Sequence, residues 1–298
     1  MSWRWDTRPD EEDGHAAPRG GIGGFLRSLL EGIPWRERAE LDETLMLPAP
    51  KAGLTIENEN GRTQVIGEDR GDVALRVVRA ARGESAEDAA KRADEIKVRT
   101  RETNGELFVE VDVPGRFLLR GKADLQVRVP RGTRVTVSSA NGLVCLSGLR
   151  AAVRAHSSNG PIRVTDVIGD VEVHTSNARV HAECTWGRLV ARSSNGKIDL
   201  SEHSGSIDAA TSNGTICCRM DSVDAAGVVL ATSNGRITLE LPEQCDGDLD
   251  IRVDNGTIRT QREMPCAPRE KEGRLKCTLG RGGAPIKLRA SNGSVSLR

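Results

Sequence analysis

The sequence predicts a mainly β chain, a parallel β-solenoid of about 18-residue rungs with an α+β amino-terminal cap. Three observations predict it. Asn141, Asn159, Asn177, Asn195 and Asn213 recur at a strict spacing of 18 residues, most of them inside Ser-Asn-Gly, and Asn234, Asn255 and Asn292 follow at 21, 21 and 37. So short a segment cannot bury a core alone, but it can form one coil whose apolar face is covered by its neighbours. Apolar residues also alternate on both sides of each asparagine. Val135, Val153, Val171, Leu189 and Ile207 stand six before it, and Val144, Ile162, Val180, Ile198 and Ile216 stand three after it. That is period two, hence two short strands per copy with one face inward. Finally, aromatic residues make up only 2% of the chain, with no Tyr and three Phe. A thin interior of Val, Ile, Leu and Ala has no room for large rings.

Residues 1–40 form a polar leader carrying one apolar island, GGFLRSLLEGIPW. Phe25, Leu26, Leu29, Leu30 and Ile33 follow helical spacing, and Pro34 ends the helix. Such a helix either docks on the solenoid or makes peripheral contact with a membrane surface or partner through Phe25, Leu26, Leu29 and Leu30.

Residues 41–130 read as the amino-terminal β cap. Leu54, Ile56, Asn60-Gly61 and Val65 form a degenerate first copy of the repeat. Ser85 opens SAEDAAKRADEI as an N-cap, with Asp88 in the first turn. Ile96, Val98 and Thr100 alternate into Asn104-Gly105, and Leu107, Val109 and Val111 alternate out of it, a strong hairpin signal. Leu125, Val127 and Val129 then lead through Pro130 into the regular coils.

Residues 131–298 are the solenoid. Strand parity places the asparagines inward, two residues after a small Ser or Thr, as a buried amide ladder of Asn141, Asn159, Asn177, Asn195, Asn213, Asn234, Asn255 and Asn292. The glycine after most of them supplies a tight corner, and Gly169, Gly187 and Gly205 mark the opposite one. The irregular stretch 261–284 accommodates an asparagine-less rung through Leu275, Cys277 and Leu279. The last copy keeps its inward pattern to Val295 and Leu297, so an open carboxyl-terminal rung is expected, with self-association through it.

The run LTIENENGRTQVIG, the charged helix, LQVRVPRGTRVTVSSANGLVCLSGL and the repeated SSNG segments together resemble the bacterial "putative adhesin" family of β-strand-repeat proteins, a domain of unknown function. The resemblance spans roughly residues 41–298. It implies a β-solenoid and an adhesin-like role, and it brings no catalytic residues with it.

The remaining chemistry is sparse. Lys plus Arg and Asp plus Glu balance at 43 each. There is no basic patch with interleaved aromatics, so nucleic acid is not an expected partner. His156 and His174 stack in adjacent copies, with His181 and Glu183 nearby in sequence, but Arg192 and Ala210 end the series, so no metal or cofactor site is expected. Outward Asp199, Asp208 and Glu172 lack the loops that build a glycosidase cleft, and no nucleophile elbow is present, so no enzyme is expected. Seven cysteines without a CxxC pair, and no apolar run of signal or membrane length, point to a reducing, cytoplasmic setting. The expected function is a non-enzymatic, adhesin-like module whose outer face binds a protein or surface ligand. The alternative is a scaffold that assembles end to end.

Overall fold

The computed structural model describes residues 37–114, 121–261 and 273–298. The leader helix expected around Phe25, Leu26, Leu29 and Leu30 lies outside them. The chain is mainly β. Its first half holds β1 (Glu37–Pro48), β2 (Gly53–Asn60), β3 (Thr63–Glu68), β4 (Asp72–Gly83), α1 (Ala86–Glu95), β5 (Lys97–Thr103), β6 (Glu106–Asp112), β7 (Gly121–Pro130), β8 (Val135–Asn141) and β9 (Val144–Ser147). The second half holds β10 (Val153–Ser157), β11 (Ile162–Ile168), β12 (Val171–Thr175), β13 (Val180–Ser193), β14 (Ile198–Asn213), β15 (Ile216–Glu240), β16 (Gly247–Thr260), β17 (Arg274–Leu279) and β18 (Pro285–Leu297).

Apart from antiparallel β17, the strands from β8 onward stack in parallel as two walls. In the wall before the asparagines, Val135 pairs with Val153, Val153 with Val171, and Val171 with Leu189. In the wall after them, Val144 pairs with Ile162, Ile162 with Val180, and Val180 with Ile198. These side chains are buried between the walls. Each such residue contributes about 1.5–3 kcal/mol by leaving water, which is how a chain poor in aromatics builds its core.

The Asn-Gly corner is sterically closed. A Cβ on Gly160 would stand 1.7 Å from the Gly142 carbonyl oxygen directly beneath, so glycine is needed for one corner to rest on the next. The expected hairpin is also present, as β5 and β6 pair antiparallel around Asn104 and Gly105, both with positive φ.

The amino-terminal strands extend the same stack. β2 lies parallel to β8 with Asn60 beside Asn141, and β3 lies parallel to β9. β6 then covers β2 and β7 covers β3, both in parallel, followed by antiparallel β5 on one wall and β4 and β1 on the other. α1 packs on β4 and β1 through buried Ala89 and Ala93. Its Ser85 Oγ accepts from the Asp88 backbone N–H at 3.1 Å, and an Asp88 carboxylate oxygen accepts from the Glu84 N–H at 3.0 Å, a reciprocal cap.

At the other end the structure departs from chain order. β18 pairs with β15 through Val228 and Ile286, and with β16 through Leu249 and Ile286. The carboxyl-terminal strand therefore sits inside the stack, and self-association through an open carboxyl-terminal rung is corrected. Its regular pattern reaching Leu297 reflects burial on two flanks rather than an exposed template. The expected rung through Leu275, Cys277 and Leu279 is instead the antiparallel strand β17, laid over Gly247–Arg252 of β16 with those three side chains buried.

Candidate interaction surface

The asparagines form a continuous chain of side-chain hydrogen bonds. Each Nδ2 donates to the Oδ1 of the preceding rung: Asn159 to Asn141, Asn177 to Asn159, Asn195 to Asn177, Asn213 to Asn195, and Asn234 to Asn213, each at 2.9 Å. Asn292 then donates to Asn234 at 2.9 Å and Asn255 to Asn292 at 3.0 Å, following the stack rather than the sequence. All eight asparagines are exposed, which corrects the inward facing expected for them. Alternation holds only while the strand runs straight. The bend begins after the small residue, so the last inward side chains are Ser157, Thr175, Ser193, Thr211 and Thr232. Their hydroxyls serve the corner backbone: Thr175 Oγ1 donates to the Gly160 carbonyl at 3.3 Å, and Ser157 Oγ accepts from the Gly160 N–H at 2.9 Å.

His156 and His174 are neighbours in register on the outer face of the first wall. His174 is engaged by Glu172 at 3.1 Å, and Arg154 donates to the other oxygen of that carboxylate at 3.2 Å. The hydrogen bond from His174, aided by Arg154, holds the Glu172 carboxyl below its usual range. His181 and Glu183 belong to the second wall, 3.5 Å apart, and do not join the pair. Among the described residues no group of three or more His, Cys, Asp or Glu could hold a metal ion. The outward acids are likewise engaged, Asp199 by Lys197 at 2.8 Å and Asp208 by Arg192.

Sequence reasoning passed over two side chains. Ile168 and Trp186 are adjacent in register at the end of the second wall and are 46% and 40% exposed. The signal was present, since both fill an outward position immediately before a corner glycine, Gly169 or Gly187. Beside them Asp166, Cys184 and Glu202 share positive φ, a column of bulges one per rung. Cys184 Sγ donates to Glu202 Oε2 at 3.0 Å. That bond, with burial and the charges of Glu202, Glu183 and Asp166, pushes the Cys184 thiol up to about 11, which marks the surroundings as electronegative.

Cys145, Cys184, Cys217, Cys218 and Cys245 are free, whereas Cys277 is disulfide-bonded. Among the described residues no helix is long and apolar enough to cross a membrane.

No curated protein compared with the chain matches it. Solved structures do. A "putative adhesin" from Bacteroides fragilis NCTC 9343 is 12% identical, covers 89% of this chain and 99% of its own, and superposes with a TM-score of 0.45. A "putative adhesin" from Parabacteroides merdae ATCC 43184 is 10% identical over 86% and 96% of the two chains, with a TM-score of 0.40. A "putative cell adhesion protein" from Clostridium sporogenes ATCC 15579 is 10% identical over 88% and 99%, with a TM-score of 0.29. The family model described as Toastrack DUF4097 matches residues 52–298, and the chain belongs to that family.

Proposed function

We propose that the protein is a non-enzymatic, adhesin-like binding module that holds a protein surface against the outer face of its second wall. The observation that carries this reading is the exposed pair Ile168 and Trp186, side by side at the end of the second wall with Ser204 next to Trp186 in register. A large aromatic with an aliphatic neighbour is the usual anchor of a protein contact. The carboxylates of Glu183 and Glu202 act on Cys184, two residues before Trp186, so the complementary surface is apolar with a basic rim. The ion-paired state of Asp199, Asp208 and Glu172 supports the non-enzymatic part, because each carboxylate is held by a cation instead of standing ready for acid–base work. An end-to-end scaffold is less well supported: β18 is interior, and the end strands of the first wall, β5 and β17, both carry basic residues, Lys97, Arg99 and Arg101 on one and Arg274 and Lys276 on the other.

The test is capture from lysate by the full chain and by an Ile168→Ser, Trp186→Ser double variant. The reading expects a basic protein retained by the wild type, lost from the variant, released by raised salt, and rebinding when purified. The same set of proteins on both baits would overturn it.

A further inference from the structure

The placement of β18 builds a feature that the sequence repeat conceals. Reading outward positions along the stack, Arg192 lies beside Ala210, Ala210 beside Ala231, Ala231 beside Arg289, and Arg289 beside Arg252. Two consecutive alanines leave a gap in a column that is otherwise arginine on both flanks. The gap is a shallow cavity of about 360 Å³, lined by Arg192, Ala210, Ser212, Ala231, Ser233 and Arg289. The two arginines stand three strand spacings apart, about 14 Å between their backbones, so both long side chains reach into the space between.

The charges facing this notch do not cancel. Arg192 is held by Asp208, its Nη1 donating to the Asp208 carbonyl at 2.6 Å and its Nη2 to the carboxylate. Asp250 is engaged by Arg274 at 2.8 Å and Lys276 at 3.8 Å. Arg252 pairs with Asp254 at 3.1 Å. Among the described residues Arg289 and exposed Lys287, two positions earlier on the same face, make no direct ion pair, although Asp250 is the register neighbour of Lys287 and feels the charge of Arg289. The notch therefore holds surplus positive charge, one guanidinium fixed in place by Asp208 and one without a direct ion pair, with serine hydroxyls along its corner side.

We propose that this notch binds a phosphoryl group. Its tetrahedral oxygens match the guanidinium fork of Arg289 and accept from the Ser212 and Ser233 hydroxyls, and its charge balances the Arg289 cation, while Arg192, held by Asp208, walls the other side. The alanines provide the room, since any longer side chain at 210 or 231 would occupy it. The proposal concerns the first wall and stands independently of the Ile168–Trp186 face.

The test is calorimetric titration of the full chain with inorganic phosphate against chloride at constant ionic strength, alongside sedimentation with vesicles containing phosphatidic acid. Saturable phosphate binding that weakens tenfold or more in Arg289→Gln, is lost in Ala231→Leu, and is unchanged in Arg163→Gln on the other wall supports a free phosphoryl ligand. Vesicle binding with the same variant profile, in the absence of a phosphate response, supports the same site with a lipid headgroup as the source. Binding to neither probe, or binding indifferent to Arg289→Gln, would overturn the proposal.

Discussion

Asn292 donates its side-chain amide to Asn234 at 2.9 Å although 58 residues separate them, while Asn255, which follows Asn234 by 21 in sequence, sits one rung farther out. The ladder thus records the order of the stack. It also spans exposed corners, and that sets its energetic weight. In Asn177→Ala, the bonds to Asn159 and Asn195 are lost, but water replaces them. The expected cost is about 1 kcal/mol by denaturant unfolding. A loss above about 3 kcal/mol would mean that the amides are shielded from solvent after all.

Corner glycines should matter more than the asparagines beside them. Gly160→Ala drives a Cβ into the Gly142 carbonyl and should cost about 1–3 kcal/mol, because only backbone can yield there. Gly71→Ala meets nothing within 4 Å and should stay within about 0.5 kcal/mol of wild type. Equal effects at both sites would contradict the corner-on-corner packing.

His203 gives the stack a pH dependence. It is buried, with Nδ1 2.8 Å from Thr185 Oγ1 and Nε2 3.2 Å from the Ser206 carbonyl. This arrangement suits a neutral ring that accepts from Thr185 and donates to Ser206. Burial lowers its pKa below the ordinary value of about 6.5, against the opposing pull of Ser206. The unfolded chain then binds the proton more readily, so the stabilisation is complete above about pH 6.5 and declines as pH falls below it. Unfolding midpoints measured between pH 7.5 and about 5 should fall more steeply for the wild type than for His203→Gln. Parallel curves would remove His203 from the account.

Cys184 should alkylate slowly although it is not buried, because its thiol is pushed up to about 11 by the hydrogen bond to Glu202 and by neighbouring carboxylates. Glu202→Gln should speed modification at pH 8 several-fold, followed by peptide mass spectrometry. An unchanged rate would show that Glu202 does not govern this thiol.

Much of the architecture was legible because it depends on period. The alternation of Val153, Ala155 and Val171, Val173 places those residues in register without any knowledge of the rest of the chain. Ser85 and Asp88, and Asn104-Gly105, were legible for the same reason, since caps and hairpins are local. The facing of the asparagines was not, because parity does not survive a corner. Nor was the order of the last strands. Ile286 continues the inward pattern equally well beside Val228 or beyond Leu249, and it touches both. The Arg192–Arg289 notch depends entirely on that choice, so no spacing in the sequence could disclose it.

The strand order is accordingly what to test first. Residues opposed across one strand spacing lie about 4.8 Å apart, within disulfide reach, whereas two spacings put them beyond about 7 Å. The account expects Ala231→Cys with Arg289→Cys to form a disulfide under mild oxidation, mapped by peptide mass spectrometry, and Ala231→Cys with Arg252→Cys to form none. A bond between positions 231 and 252 in place of 231 and 289 would restore sequence order to the stack and dissolve the notch.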